Sequence, residues 1–192
     1  MKTVKVGEIS LSNKSNLVLI SGLNVLEDKF IVKEVVAELK KVSDELDIPF
    51  IFKASYDKAN RSSIESFRGP GIENGLEMLR KIKSDYKVPV MSDVHSTGEV
   101  KKAKEILDVI QIPAFLCRQT DLISSAAITG LPINVKKGQF LSPAEMKNII
   151  TKFNVSKICV LPEARKTYLD NFFNINLDVE IIFFWNNSDE VF

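Results

Sequence analysis

Between Leu17 and Lys136 the apolar residues fall into five short, nearly continuous runs: 17–21 (L-V-L-I-S), 49–54 (P-F-I-F-K-A), 88–94 (V-P-V-M-S-D-V), 109–113 (V-I-Q-I-P) and 132–136 (P-I-N-V-K). Runs of this length without polar alternation read as strands covered on both faces, the signature of a parallel sheet. The segments between them change period. Ile31, Val35, Leu39, Val42 and Leu46 step by four, four, three and four, and Ile72, Leu76, Leu79, Ile82 and Tyr86 repeat the spacing, so each predicts a helix with one apolar stripe. Two later helices are marked by capping boxes, Ser96 to Glu99 and Ser142 to Glu145, the second with Pro143 at its first helical position. Ahead of the first run Val4, Val6, Ile9 and Leu11 alternate with polar residues and predict a small hairpin, one use of which is to plug the bottom of a barrel.

The resulting order, strand then helix five times over, specifies an α/β fold with right-handed crossovers, either a doubly wound sheet or a (β/α)₈ barrel. In both, the C-terminal ends of the strands surround one crevice. The runs end at Ser21-Gly22-Leu23-Asn24, Lys53-Ala54-Ser55, Ser92-Asp93-Val94-His95, Gln111-Ile112-Pro113 and Asn134-Val135-Lys136, so polar groups collect at that one face.

Composition adds limits. The chain has 192 residues, 45% apolar and 27% charged, enough for one good core. A net charge of +1 supplies no general drive toward nucleic acid or membrane, so any basic site is local. Met1 is followed by Lys-Thr-Val-Lys-Val and no run approaches a membrane span, which predicts a cytoplasmic protein. Cys117 and Cys159 lack metal-ligand spacing and are expected to be reduced.

A lysine at a strand end, taken alone, is a snorkelling surface charge. Lys53 has company at the same mouth: Lys58, Arg61 and Lys136, with Asn60, Ser62 and Ser63 as neutral donors, a set suited to several phosphate and carboxylate groups. Neither G-x-x-x-x-G-K-[ST] nor G-x-G-x-x-G occurs, so the anion is expected on a small metabolite. His95, the single histidine, follows Asp93 by two positions at a strand end. Arg68-Gly69-Pro70-Gly71 reads as a turn, and Lys101, Lys102 and Lys104 as the solvated face of a helix whose apolar side is Val100, Ala103 and Leu107.

Five segments, F-K-A-S-Y-D-K-A-N-R-S-S, F-R-G-P-G, S-D-V-H, Q-I-P-A-F-L-C-R-Q-T-D-L and I-N-V-K-K-G-Q-F-L-S-P, closely resemble 3-deoxy-D-manno-octulosonate 8-phosphate synthases, in order over about residues 17–153. The related synthase of the shikimate pathway has a K-P-R-T type segment where this chain has Lys-Ala-Asn-Arg-Ser. The resemblance implies a homotetrameric (β/α)₈ TIM barrel, cytoplasmic, which condenses phosphoenolpyruvate with D-arabinose 5-phosphate and releases phosphate in lipopolysaccharide biosynthesis. It assigns Lys53, Lys58, Arg118 and Lys136 to phosphoenolpyruvate and Asn60, Arg61 and Ser62 to the sugar, whose phosphate falls chiefly to Arg61 and Ser62. Gln111, Asp93 and His95 line the mouth, and Asn24, Lys58, Asp93 and His95 are the candidates for the chemical step. Metal-dependent members of the family carry a cysteine where Gly22-Leu23-Asn24-Val25-Leu26-Glu27 has Asn24, so neither metal nor cofactor is expected.

After Phe153 the family motifs stop. Its C-[DE]-R-G strand, second active-site histidine and last acidic strand have no counterpart, and residues 139–192 hold no glycine. The expected arrangement is therefore an incomplete barrel of about five to seven parallel strands over 1–153 and a divergent tail, 154–192, with one or two strands (Ser156–Leu161, Val179–Trp185) and a helix. Thr167 to Asn171 would arise from the family's F-G-Y-N-N if codons were read in another frame. A second functional expectation stands beside the enzyme: an inactive remnant that binds phosphorylated ligands or associates with full-length subunits.

Overall fold

A computed structural model describes residues 3–12, 15–152, 158–161 and 182–183. The chain opens with a hairpin, β1 (Val4–Val6) and β2 (Ile9–Leu11), paired antiparallel with Val4 opposite Leu11. Strands and helices then alternate: β3 (Leu19–Leu23), α1 (Lys29–Glu45), β4 (Phe50–Ala54), α2 (Ile72–Tyr86), β5 (Val90–Asp93), α3 (Thr97–Ala103), β6 (Val109–Ile112), a 3₁₀ turn (Ala114–Leu116), α4 (Thr120–Ile128), β7 (Ile133–Lys136), α5 (Pro143–Lys152) and β8 (Ile158–Leu161). All five expected strands are present, the first two residues further along than the apolar run begins. The sheet runs β8-β7-β6-β5-β4-β3, parallel throughout, and β9 (Ile182–Phe183) adds to β3 antiparallel. This is an α/β fold, an incomplete (β/α) barrel whose sheet has two edges among the described residues. Two short pieces of the expected tail strands thus lie at opposite edges. Thr167 to Asn171 and the helix expected in the tail lie outside the described residues.

Alternation of side chains along each strand divides the core in two. Phe50, Phe52, Val90, Ile110, Ile112, Ile133 and Val135 face the helices and pack with Val32, Val36, Leu76, Leu79 and Met146. Each such side chain contributes roughly 1.5–3 kcal/mol by leaving water. Ile20, Ile51, Met91 and Val109 point the other way and pack with Val4, Val6 and Leu11 of the hairpin. The hairpin therefore does close the interior at the N-terminal ends of the strands.

The helices follow their apolar periods with one correction. The buried stripe of α1 is Val32, Val35, Val36 and Ser43 with Leu39 partly covered, while Ile31 and Leu46 of the expected stripe stand 38% and 62% exposed. A helix on a flat sheet buries a stripe about two positions wide per turn, and Val32 and Val36 take the second position. In α2 Gly75, Leu76, Leu79 and Ile82 are buried. A Cβ at Gly75 would lie 2.2 Å from the Tyr56 Cβ, so this glycine lets α2 press onto the residue that leaves β4. The box at α5 is reciprocal: Ser142 N–H donates to Glu145 Oε2 (2.6 Å) and Glu145 N–H to Ser142 Oγ (3.3 Å). No helix among the described residues is long and apolar enough to cross a membrane.

Candidate active site

The inward face of the strands sets the site. Two residues beyond Ile20, Ile51, Met91 and Val109 on that face come Gly22, Lys53, Asp93 and Gln111, so the apolar floor over the hairpin gives way to a polar layer toward the C-terminal ends. Register joins it laterally, with Gly22 opposite Lys53, Asp93 opposite Gln111 and Gln111 opposite Asn134. Lys53, Asp93, Gln111 and Asn134 are buried, Lys53 completely, and Lys136 at the end of β7 is half-buried. Lys53 is thus no snorkelling surface charge. Taking an ammonium out of water is costly without compensating anions or acceptors, and the charge of Asp93 is one such compensation. Asn134 Nδ2 donates to Gln111 Oε1 at 3.0 Å, while its buried Oδ1 has no hydrogen-bond partner among the described residues.

Asp93 is the electrostatic centre. Burial works to raise its pKa, but the His95 hydrogen bond, the charges of Lys53 and Lys58 and the Ser55 hydroxyl outweigh burial and hold it well below the usual carboxylate range. Ser55 Oγ donates to Asp93 Oδ1, and His95 Nε2 lies 3.2 Å from Asp93 Oδ2. On its other side His95 presents Nδ1 to Glu99 Oε2 at 3.2 Å, and its backbone N–H donates to the same oxygen at 2.9 Å. Burial alone would lower the imidazole's pKa; the bonds to Asp93 and Glu99, with their charges, lift it instead to about 9. The Tyr56 hydroxyl completes the set by donating to Glu99 Oε2 at 2.6 Å, with its ring edge-on to His95 (centroids 6.2 Å apart, 86° between planes). Burial first, then Glu99, pushes the phenol far above its ordinary value, and it stays neutral. Glu99 is held low: its own burial opposes this, and the donors His95 and Tyr56 prevail.

Lys53, Lys58, Asp93 and His95 are therefore brought together, and Gln111 sits beside Asp93. Asn24 is half-buried immediately after β3. Asn60, Arg61 and Ser62 are exposed in the β4–α2 connection, where Arg61 Nε donates to the Phe67 carbonyl at 3.1 Å, and Arg118 is exposed between β6 and α4. These four stand at the strand C-terminal end but outside the buried cluster. The turn at 68–71 does more than punctuate the chain, because Arg68 pairs with Asp57 through two bonds (2.8 and 2.5 Å) and its carbonyl accepts from Lys58 N–H (2.7 Å). Cys117 is a buried free thiol; the Cys159 side chain lies outside the described ones.

Sequence reasoning missed the roles of Ser55, Tyr56 and Glu99. The capping box predicts Glu99 as the partner of Ser96, and the Glu99 N–H does donate to Ser96 Oγ (3.2 Å), but its carboxylate reaches one residue further back, to His95. A buried tyrosine directly after a strand was the available signal, since its hydroxyl requires a partner. Among the described residues no group of three or more His, Cys, Asp and Glu side chains is placed to hold a metal ion. A groove of about 600 Å³ between α1 and α2, lined by Val32, Met78 and Ile82, includes none of the candidate residues.

Parallel strands whose C-terminal ends gather a buried Lys53, Asp93 and His95 on one face define a site of the (β/α)-barrel class. The DAHP synthetase I family matches residues 2–180, and the chain belongs to that family. It is similar to proteins named 2-dehydro-3-deoxyphosphooctonate aldolase: 53% identical over 154 residues to that of Fusobacterium nucleatum (80% of this chain, 55% of the relative), and 52% over 153 residues to that of Psychromonas ingrahamii (80% and 54%). The Bdellovibrio bacteriovorus protein of the same name is 52% identical over 152 residues (79% and 53%). The chain spans about half the length of the curated relatives it matches.

Proposed function

We propose that the mouth binds phosphoenolpyruvate and D-arabinose 5-phosphate and serves their condensation to 3-deoxy-D-manno-octulosonate 8-phosphate with release of phosphate. The observation that carries this reading is the buried Lys53 with Lys58 around an ionised Asp93, in a chain about half identical to 2-dehydro-3-deoxyphosphooctonate aldolases over four-fifths of its length. In the reaction C3 of phosphoenolpyruvate bonds to the aldehyde carbon, whose oxygen takes a proton. Water adds at C2, and phosphate leaves with its bridging oxygen. Lys53, Lys58, Arg118 and Lys136 are assigned to the carboxylate and phosphate of phosphoenolpyruvate. Asn60, Arg61 and Ser62 are assigned to the sugar phosphate, and Gln111 to the wall of the mouth. Asp93 suits the positive charge that develops at C2, because a fixed anion in a water-poor site costs no reorganisation as that charge appears. Asn24 offers an amide where a metal site would want a thiolate, which supports chemistry without metal or cofactor.

We assign the site to residues 1–153 and regard 154–192 as a segment that extends both sheet edges, in a cytoplasmic homo-oligomer. The test is phosphate release that requires both substrates, measured on the purified chain with titration calorimetry for each ligand. Release dependent on both supports the synthase reading. Binding of both ligands without release identifies an association or ligand-binding module, and binding of neither overturns the assignment.

A further inference from the structure

Tyr56, Glu99, His95, Asp93 and Ser55 form one continuous line of hydrogen bonds from α3 into the mouth. Its middle member is unusual in what flanks it. Both ring nitrogens of His95 face carboxylate oxygens, Nδ1 to Glu99 and Nε2 to Asp93, each at 3.2 Å. An ionised carboxylate only accepts, and a neutral imidazole has one donor and one acceptor, so only the imidazolium satisfies both sides. The Glu99 oxygen is in turn fixed by two further donors, the His95 N–H and the Tyr56 hydroxyl.

We propose that Glu99 is a positioning residue: it fixes His95 as an imidazolium bridging two carboxylates, so that His95 serves the mouth as a buried cation that orients Asp93 and not as a general base. A base needs a lone pair, and both nitrogens here are donors. The groups that face His95 agree. Asp93 comes from its own strand and Glu99 from α3; Tyr56 comes from the end of β4, presenting a ring edge; and the Lys53 and Lys58 charges act on Asp93. Asp57 is one step removed, acting on Tyr56. The consequence for chemistry rests on the reading of the mouth given above; the protonation state and its cause do not.

His95 is the single histidine, so the imidazole gives one set of signals in long-range ¹H–¹⁵N NMR of the full chain. We expect both ring nitrogens to be protonated at about pH 7.5. Glu99→Gln, which keeps an acceptor oxygen and removes the charge, should lower the midpoint by about one unit or more, a tenfold loss of proton affinity. Tyr56→Phe should move it less. A single neutral tautomer in the wild-type protein at that pH overturns the proposal without recourse to any variant, as does a midpoint that Glu99→Gln leaves in place. Calorimetry with phosphoenolpyruvate separates the two claims. A shifted midpoint in a protein that binds no phosphoenolpyruvate supports the positioning role and removes the reading of the mouth, whereas intact binding with an unshifted midpoint does the reverse.

Discussion

The Tyr56 hydroxyl donates to Glu99 at 2.6 Å across 43 residues of chain, tying the end of β4 to the first turn of α3. The acceptor is ionised and the phenol is buried, which places this bond among the stronger protein hydrogen bonds. Tyr56→Phe keeps the ring and should cost about 1.5–3 kcal/mol in urea unfolding. A loss below about 0.5 kcal/mol would mean that water replaces the phenol at no cost.

Stability should also depend on pH on the alkaline side. The folded-state pKa of His95, about 9, lies above its ordinary 6.5, so its contribution is fully present below pH 6.5 and disappears as pH rises through 9. Asp93 and Glu99 are held low, so theirs is present above the ordinary carboxylate range and disappears in acid. Between pH 6.5 and 9.5 we expect a loss of about 1–2 kcal/mol, the shift being discounted for partial exposure of the imidazole. Urea midpoints across that range check it, and a His95→Gln variant should show a flat profile there.

Helix propensity favours alanine over glycine by about 1 kcal/mol, so an exposed mid-helix Gly→Ala would stabilise. At Gly75 the opposite is expected. The new methyl would sit 2.2 Å from the Tyr56 Cβ and 3.2 Å from its Cα, atoms that cannot swing aside. Gly75→Ala should therefore destabilise by about 1–3 kcal/mol and weaken the Tyr56 bond to Glu99. A rise in the thermal midpoint would show that α2 shifts freely.

What could be read in advance follows from which interactions are periodic. Strand runs such as 109–113 and helix stripes such as Leu76, Leu79 and Ile82 repeat at a fixed spacing, and the layers of the sheet follow from that repetition. Asp93 and Gln111 were legible as strand ends, because parallel strands bring all their C-termini to one face. Glu99 and Tyr56 were not. Their bond depends on how α3 lies across the end of β4, and local spacing offered Glu99 a nearer partner in Ser96. The shift of the α1 stripe to Val32 and Val36 has a related cause, since the sheet surface and not the period chooses which of two adjacent apolar columns is buried.

Asn24 stands half-buried at the end of β3, where an amide oxygen is a weaker ligand for Zn²⁺ or Fe²⁺ than a thiolate. On the metal-independent reading, prolonged chelation should leave both the thermal midpoint and phosphoenolpyruvate affinity unchanged. Loss of binding on chelation, restored by one equivalent of a transition metal, would refute it.

Arg61 provides the sharpest separation between the two proposed ligands. It is exposed in the β4–α2 connection and uses Nε to hold the Phe67 carbonyl, whereas Lys53 lies buried against Asp93 in the strand layer. The two cations therefore sit at different depths, and a sugar phosphate reaching the outer one need not touch the inner. Arg61→Ala should weaken arabinose 5-phosphate binding by about 1.5–3 kcal/mol, the range for a charge-assisted hydrogen bond, with phosphoenolpyruvate affinity nearly intact. Arg61→Lys should recover only part of the loss, because an ammonium keeps the charge and lacks the planar fork that meets two phosphate oxygens. Calorimetry with each ligand decides between the outcomes: equal losses for both would place Arg61 on a shared anion site and remove the assignment of the outer loop to the sugar.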